Sequence, residues 1–175
     1  GYGAKFEYPA DRVNWLLGFE ELQRDYAPRL GFVNRNDIRH TFGNFRYRTR
    51  PSSGPFRTID NEVFGQIFTN SDDDIETVNV RVVPVEFTNA INDGFDFRYR
   101  FQYEDVRQSF SSFDIPPGAY TFHSLGFRAF TSRNRPVRIE TEVWWGSFFD
   151  GTRTLVDFDL EFRPSHYLFL AVEYE

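Results

Sequence analysis

Apolar and charged side chains alternate through the last forty residues of the chain. Val137, Ile139, Thr141, Val143 and Trp145 are interleaved with Arg138, Glu140, Glu142 and Trp144, the period of a strand with two unlike faces. The same text recurs where Val156, Phe158, Leu160 and Phe162 alternate with Asp157, Asp159, Glu161 and Arg163, and where Leu168, Leu170, Val172 and Tyr174 share a segment with Glu173. Upstream, Phe95, Phe97, Tyr99, Phe101 and Tyr103 face away from Asp96, Arg98, Arg100, Gln102 and Glu104. Turn signals divide the chain into about ten strands, near 2–8, 12–20, 37–49, 56–69, 77–88, 94–104, 120–131, 136–147, 153–163 and 167–175. Phe19 to Leu22 read as a short helical turn, and no other helix is expected. The fold class is all-β, an antiparallel meander forming a transmembrane β-barrel or a segment of a larger one.

The alternation leaves a choice between a lipid-facing wall and a two-layer sandwich. Five aromatics in a row on one strand overfill a sandwich layer, whereas a lipid-facing wall has no such volume limit and favours Tyr and Trp near its ends. The opposite face is dominated by Arg, Asp and Glu, and lysine occurs once, at Lys5. Arginine's planar, weakly hydrated fork suits a crowded charged interior. The expected lumen therefore comprises Arg46, Arg48, Arg98, Arg100, Arg138, Glu140, Glu142, Asp157, Asp159, Glu161 and Arg163, with Arg138, Arg163, Arg128 or an arginine of the 94–104 strand reaching the acidic row. The expected lipid face comprises Phe95, Phe97, Tyr99, Phe101, Val143, Trp145, Val156, Phe158, Leu160, Phe162, Leu168, Leu170 and Val172. Tight turns are expected at Tyr8 to Asp11, Asn89 to Gly94 and Arg163 to His166, with long loops at Gln23 to Asn36 and Glu104 to Gly118. Such asymmetry is a feature of outer-membrane barrels. Asp150-Gly151 reads as a hairpin turn because glycine accepts a positive φ.

Composition narrows the function classes. A length of 175 residues suits a single domain spanning 1–175. A net charge of -6 and scattered arginines argue against nucleic acid. With no cysteine, thiol catalysis, disulfide scaffolds and Cys-ligated metals are excluded. His40, His123 and His166 are too dispersed for a zinc site. Asp72-Asp73-Asp74 with Glu76 lacks the glycine and spacing of a calcium loop and reads as a solvated turn. The facing carboxylates Glu140, Glu142, Asp157, Asp159 and Glu161 match the acid and base pair of a glycosidase only in residue type, since Arg138 and Arg163 explain them as an ionic network. The expectation is a protein without enzymatic activity, cofactor or metal, partnered by outer-membrane lipid and by further envelope segments or subunits. The alternative is a soluble extracellular β-sandwich that binds glycan, with Trp144, Trp145 or Trp15 stacking on sugar.

Several turns occur in a distinctive order: Gly31-Phe32-Val33 with Arg35 and Asp37-Ile38-Arg39, then Pro116-Pro117-Gly118-Ala119-Tyr120, Thr131-Ser132 with Arg135-Pro136, Gly146 through Asp150-Gly151-Thr152-Arg153, and Arg163-Pro164-Ser165. In this, nearly the whole chain resembles the C-terminal barrel region, itself a domain of unknown function, of large bacterial proteins described as carbohydrate-binding family 9-like domain proteins. The resemblance implies an outer-membrane β-barrel in a Gram-negative envelope, normally preceded by a soluble carbohydrate-binding-like domain. It supplies no catalytic residue. Family members continue past this point and barrels usually finish in an aromatic residue, whereas position 175 is Glu. The chain is therefore expected to be a wall segment whose edges, near 2–8 and 167–175, pair with each other, with further sequence or with another chain.

Overall fold

The computed structural model describes residues 1–24, 37–107, 115–165 and 167–174. The expectations placed on Tyr26 to Asn36 and on His166 and Glu175 lie outside them. Ten strands form: β1 (Tyr2–Pro9), β2 (Val13–Leu22), β3 (Ile38–Thr49), β4 (Phe56–Thr69), β5 (Ile75–Asn89), β6 (Gly94–Val106), β7 (Gly118–Phe130), β8 (Val137–Phe148), β9 (Gly151–Ser165) and β10 (Leu168–Tyr174). They make one antiparallel sheet in sequence order, the meander expected. Among the described residues the sheet is not closed, because β1 and β10 each have one partner there and do not meet.

One local expectation fails and two turns are displaced. Phe19 to Leu22 are not helical: they continue β2 and pair with Thr41 to Ile38 of β3, so the hydrogen-bonding partner overrides local helix preference. The β9–β10 turn starts later than expected, because Arg163 to Ser165 stay in β9, where the Arg163 N–H donates to the Pro136 carbonyl at 2.7 Å. The β8–β9 hairpin is also displaced by one residue. Phe148 pairs with Gly151, and the positive φ, 49°, falls on Phe149 rather than on the glycine. A left-handed Phe costs about 1–2 kcal/mol. Its ring offsets that by packing edge-on against Tyr120, Phe122 and Phe148, with centroids 4.7–5.1 Å apart.

Two other turns share one hydrogen-bond circuit. Asn70 accepts from the N–H groups of Asp72 and Asp74 at 3.0 and 2.9 Å, and Asn89 accepts from those of Ile91 and Asp93 at 3.0 and 2.9 Å. The acidic run at 72–74 is thus the tip of an Asx turn, with Asp73 at φ 66°. Pro84, which has no N–H to give to the ladder, sits where the β5–β6 register slips between Val82 and Val85.

The sheet is strongly staggered. Stepping across hydrogen-bonded partners from Tyr8, near the end of β1, leads through Trp15, Phe45, Val63, Val82, Tyr99, Leu125 and Trp145 to Thr154, near the opposite end of β9. Measured from the strand midpoints, the slip is about six to seven residues over eight steps. At about 3.3 Å per residue and 4.8 Å per strand, the slope is roughly 30°, a little below the roughly 35–45° typical of barrel strands. The connections 23–37 and 107–117, the two longest, leave from the same rim, and the three connections expected to be tight lie at the other.

The two faces differ as the alternation predicts. Every buried strand residue lies on the polar face, including Thr58, Asp60, Asp96, Arg98, Phe122 and Trp144. With no second layer among the described residues, side chains can bury one another only where they converge, so this face is the concave one. Leu17, Phe45, Phe97, Leu125 and Trp145 stand exposed on the convex side. Along β9, Val156 and Phe162 are exposed at 40% and 38%, while Phe158 and Leu160 are half-buried like Asp157, Asp159 and Glu161.

Candidate functional site

The concave wall is held by a continuous ionic network whose centre is Asp96 on β6, fully buried at 0% exposure. Arg98, two residues along the strand, donates to it through Nε and Nη2, and Arg128 on β7 donates through Nε at 2.8 Å. Each arginine then reaches over a neighbouring strand. Arg128 donates to Glu86 of β5 at 2.9 Å, skipping β6, and Arg98 reaches Glu142 of β8 at 2.8 Å, skipping β7. Gly126 makes the second crossing possible. It is the β7 residue paired with both Arg98 and Trp144, and a Cβ there would stand 2.8 Å from the Trp144 ring. The network continues from Arg128 to Glu140 at 3.6 Å, from Glu140 to Arg138 at 2.6 Å, from Arg138 to Glu161 at 2.6 Å and on to Arg163 at 2.9 Å. A second cluster joins Arg48 to Asp60 through two bonds of 2.8 and 2.7 Å, with Asp11 and Arg50 at the rim.

All eleven residues expected on the charged face are there, and Arg98, Arg128, Arg138 and Arg163 serve the acidic row. Their partnering is uneven. Arg46 leaves its buried Nε without an acceptor, as does Arg81. Glu140, Asp159 and Glu173 lie in direct register across β8, β9 and β10, and Asp159 and Glu173 make no ion pair among the described residues. A recess of about 380 Å³ there is lined by Glu140, Glu142, Asp157, Asp159, Glu173 and Tyr174. No group of His, Asp or Glu with metal-binding geometry occurs among the described residues.

Sequence reasoning misses Asp96, Glu86 and Asp60 as site residues, although they share the alternation of those it finds. Trp144 is corrected outright. At 5% exposure, with the Arg100 guanidinium 3.8 Å from its ring centroid, it has no free face for a sugar. His40 stacks on Phe68 at 4.1 Å, and His123 shares a 2.7 Å hydrogen bond with the Tyr99 hydroxyl.

The convex face is as uniform as the concave face is charged. Its only charged strand residues among those described are Glu21, Arg39, Arg57, Glu76 and Asp105, each second from a strand end. Tyr2, Tyr8, Trp15, Tyr47, Tyr103, Trp145 and Tyr174 lie on this face within three residues of an end. All thirteen residues expected to face lipid belong to it. Its charge-free stretch on β3, Thr41 to Thr49, is roughly 26 Å along the strand and, at the slope above, roughly 23 Å in height.

At the rim, Asp93 between β5 and β6 accepts two hydrogen bonds from Arg135 and one, at 2.8 Å, from the Ser132 N–H. Arg135, then the Ser132 N–H, hold its carboxyl down at about 2. This folded value lies below the unfolded one, so the contact stabilises above about pH 4 and the contribution is lost as pH falls towards 2. Arg135→Ala should return the Asp93 titration towards the ordinary aspartate range, read from its carboxyl carbon resonance.

No protein-family model matches the chain, and no curated protein or solved structure is significantly similar to it.

Proposed function

We propose that this chain is the wall of an outer-membrane β-barrel, its convex face in lipid and its charged concave face lining the lumen. The observation that carries the reading is the charge-free convex band across ten strands. A soluble protein presents its charges to water and buries its apolar rows, and here the sides are exchanged. The band's height is close to the roughly 25 Å apolar belt of such barrels, and Tyr and Trp near the strand ends match their interfacial girdles. Tyr99, mid-strand, satisfies its hydroxyl on His123.

The lumen reading gives a passive role. Arg98, Arg128 and Arg138 tie β5 to β9 together across the wall, which stiffens it and narrows the path beside it. A charged, hydrogen-bonded lining of this kind selects ions or polar solutes by charge, or serves as a rigid structural element of the envelope. The role proposed is non-enzymatic, because Glu140, Glu142 and Glu161 of the facing acidic row are already held in arginine pairs.

Tryptophan fluorescence in bilayers containing acyl-brominated lipid tests the reading. Trp144→Phe, which keeps Trp15 and Trp145, should be quenched strongly, whereas the variant with Trp15→Phe and Trp145→Phe, which keeps Trp144, should be protected. Equal quenching of both, or a folded monomer that stays in solution without detergent, would overturn it.

A further inference from the structure

We propose that the free edge of β10 takes a further β-strand whose concave-side positions carry arginine or lysine. The orientation of this edge rests on the barrel reading, since a strand edge cannot stand open in hydrocarbon. The chemistry of the occupant comes from the wall itself. Glu140, Asp159 and Glu173 face one another directly across three strands, an arrangement that like charges destabilise. Glu140 is neutralised from behind by Arg138 and Arg128. Asp159 and Glu173 have no such cation among the described residues.

Elsewhere on the wall, acids on one strand are met by arginines from another: Asp96 by Arg128, Glu142 by Arg98, Asp60 by Arg48, Glu161 by Arg138. Glu173 is the one charged residue that the described part of β10 brings to this face, so the cation that completes the pattern must come from the other side of β10. The outward residues Leu168, Leu170, Val172 and Tyr174 are all exposed and continue the convex band to the edge. A strand alternating apolar and cationic residues satisfies the backbone, the band and the recess together.

β1 does not have this chemistry. Its concave positions Gly3, Lys5 and Glu7 pair one cation with one acid, Lys5 with Glu7, and β1 does not meet β10. The occupant is therefore a strand other than the ten in the sheet.

The cysteine-free chain allows a direct test. Val172→Cys, folded in detergent, would be offered two synthetic peptides of alternating sequence with one cysteine each, identical except for Arg or Glu at every second position. Disulfide formation with the Arg peptide should be at least tenfold faster. The ratio should fall towards one when Asp159→Asn and Glu173→Gln are added. Ala4→Cys on β1 should show no such preference, and Leu170→Cys serves as a second attachment point if the first variant folds poorly. Equal rates for the two peptides, or an intramolecular crosslink between cysteines at 172 and 4 in one chain, or self-pairing of two copies through 172, would each overturn the proposal. Should the chain prove soluble without detergent, the barrel reading fails separately, and the same rate ratio measured in buffer still decides what the edge accepts.

Discussion

Asp96→Ala is expected to destabilise the folded protein by about 3–5 kcal/mol, the cost of removing one partner from a buried ion pair. Arg98 and Arg128 both donate to this carboxylate, which has no exposure to water. Arg98 retains Glu142, and Arg128 retains Glu86 and Glu140, but the point where their two chains of contacts meet is lost. Asp96→Asn keeps an acceptor oxygen without the charge and should cost less. Asp96→Leu combined with Arg98→Met should recover part of the loss, because exchanging a buried pair for apolar side chains of similar volume is close to neutral. Urea unfolding in detergent, followed by tryptophan fluorescence, measures all three. A loss below about 1 kcal/mol for Asp96→Ala would mean that the network contributes little to holding the wall together.

Leu125→Arg gives the second large effect, and its size depends on the surroundings. Leu125 lies mid-strand on β7, 60% exposed, between Tyr99 and Trp145 in the register. In water such a surface change is worth within about 0.5 kcal/mol. At the midplane of a bilayer the same arginine costs about 2–4 kcal/mol. Stability measured in lipid vesicles should therefore fall by the larger amount, while Ser124→Arg, on the concave side one residue away, should be tolerated better. A neutral Leu125→Arg in vesicles would remove the lipid from the convex face.

Periodicity makes the two faces legible because a strand's side chains must alternate and nothing in this sheet interrupts that over β6, β8 or β9. What it cannot supply is depth. Asp96 looks no different in sequence from Asp157 or Asp159, and it is buried only because Arg128 arrives from β7, where Phe122, Ser124 and Gly126 break the charged row. The position of Trp144 in the alternation puts it on the polar face, and its chemistry suggests a sugar platform. Arg100 and the gap above Gly126 decide between these, and neither is adjacent in sequence. Phe149 escapes a sequence reading for a similar reason. Local turn preference favours glycine at a positive φ, and the rings that tolerate Phe there come partly from Tyr120 and Phe122 on β7. Whether the sheet closes is beyond the reach of pattern, since that depends on its two edges and not on any one strand.

The meander has a further consequence for how the molecule comes apart. Because each strand's backbone bonds only to its neighbours in sequence, the sheet behaves as a nearest-neighbour chain that can zip hairpin by hairpin and fray from either end. Arg98 and Arg128 break that locality by linking strands two places apart. They couple β5 through β8 into one melting unit, so that β1 and β2 can peel away while this middle block opens only as a whole, the slowest of the amide protons to exchange being those that flank Asp96.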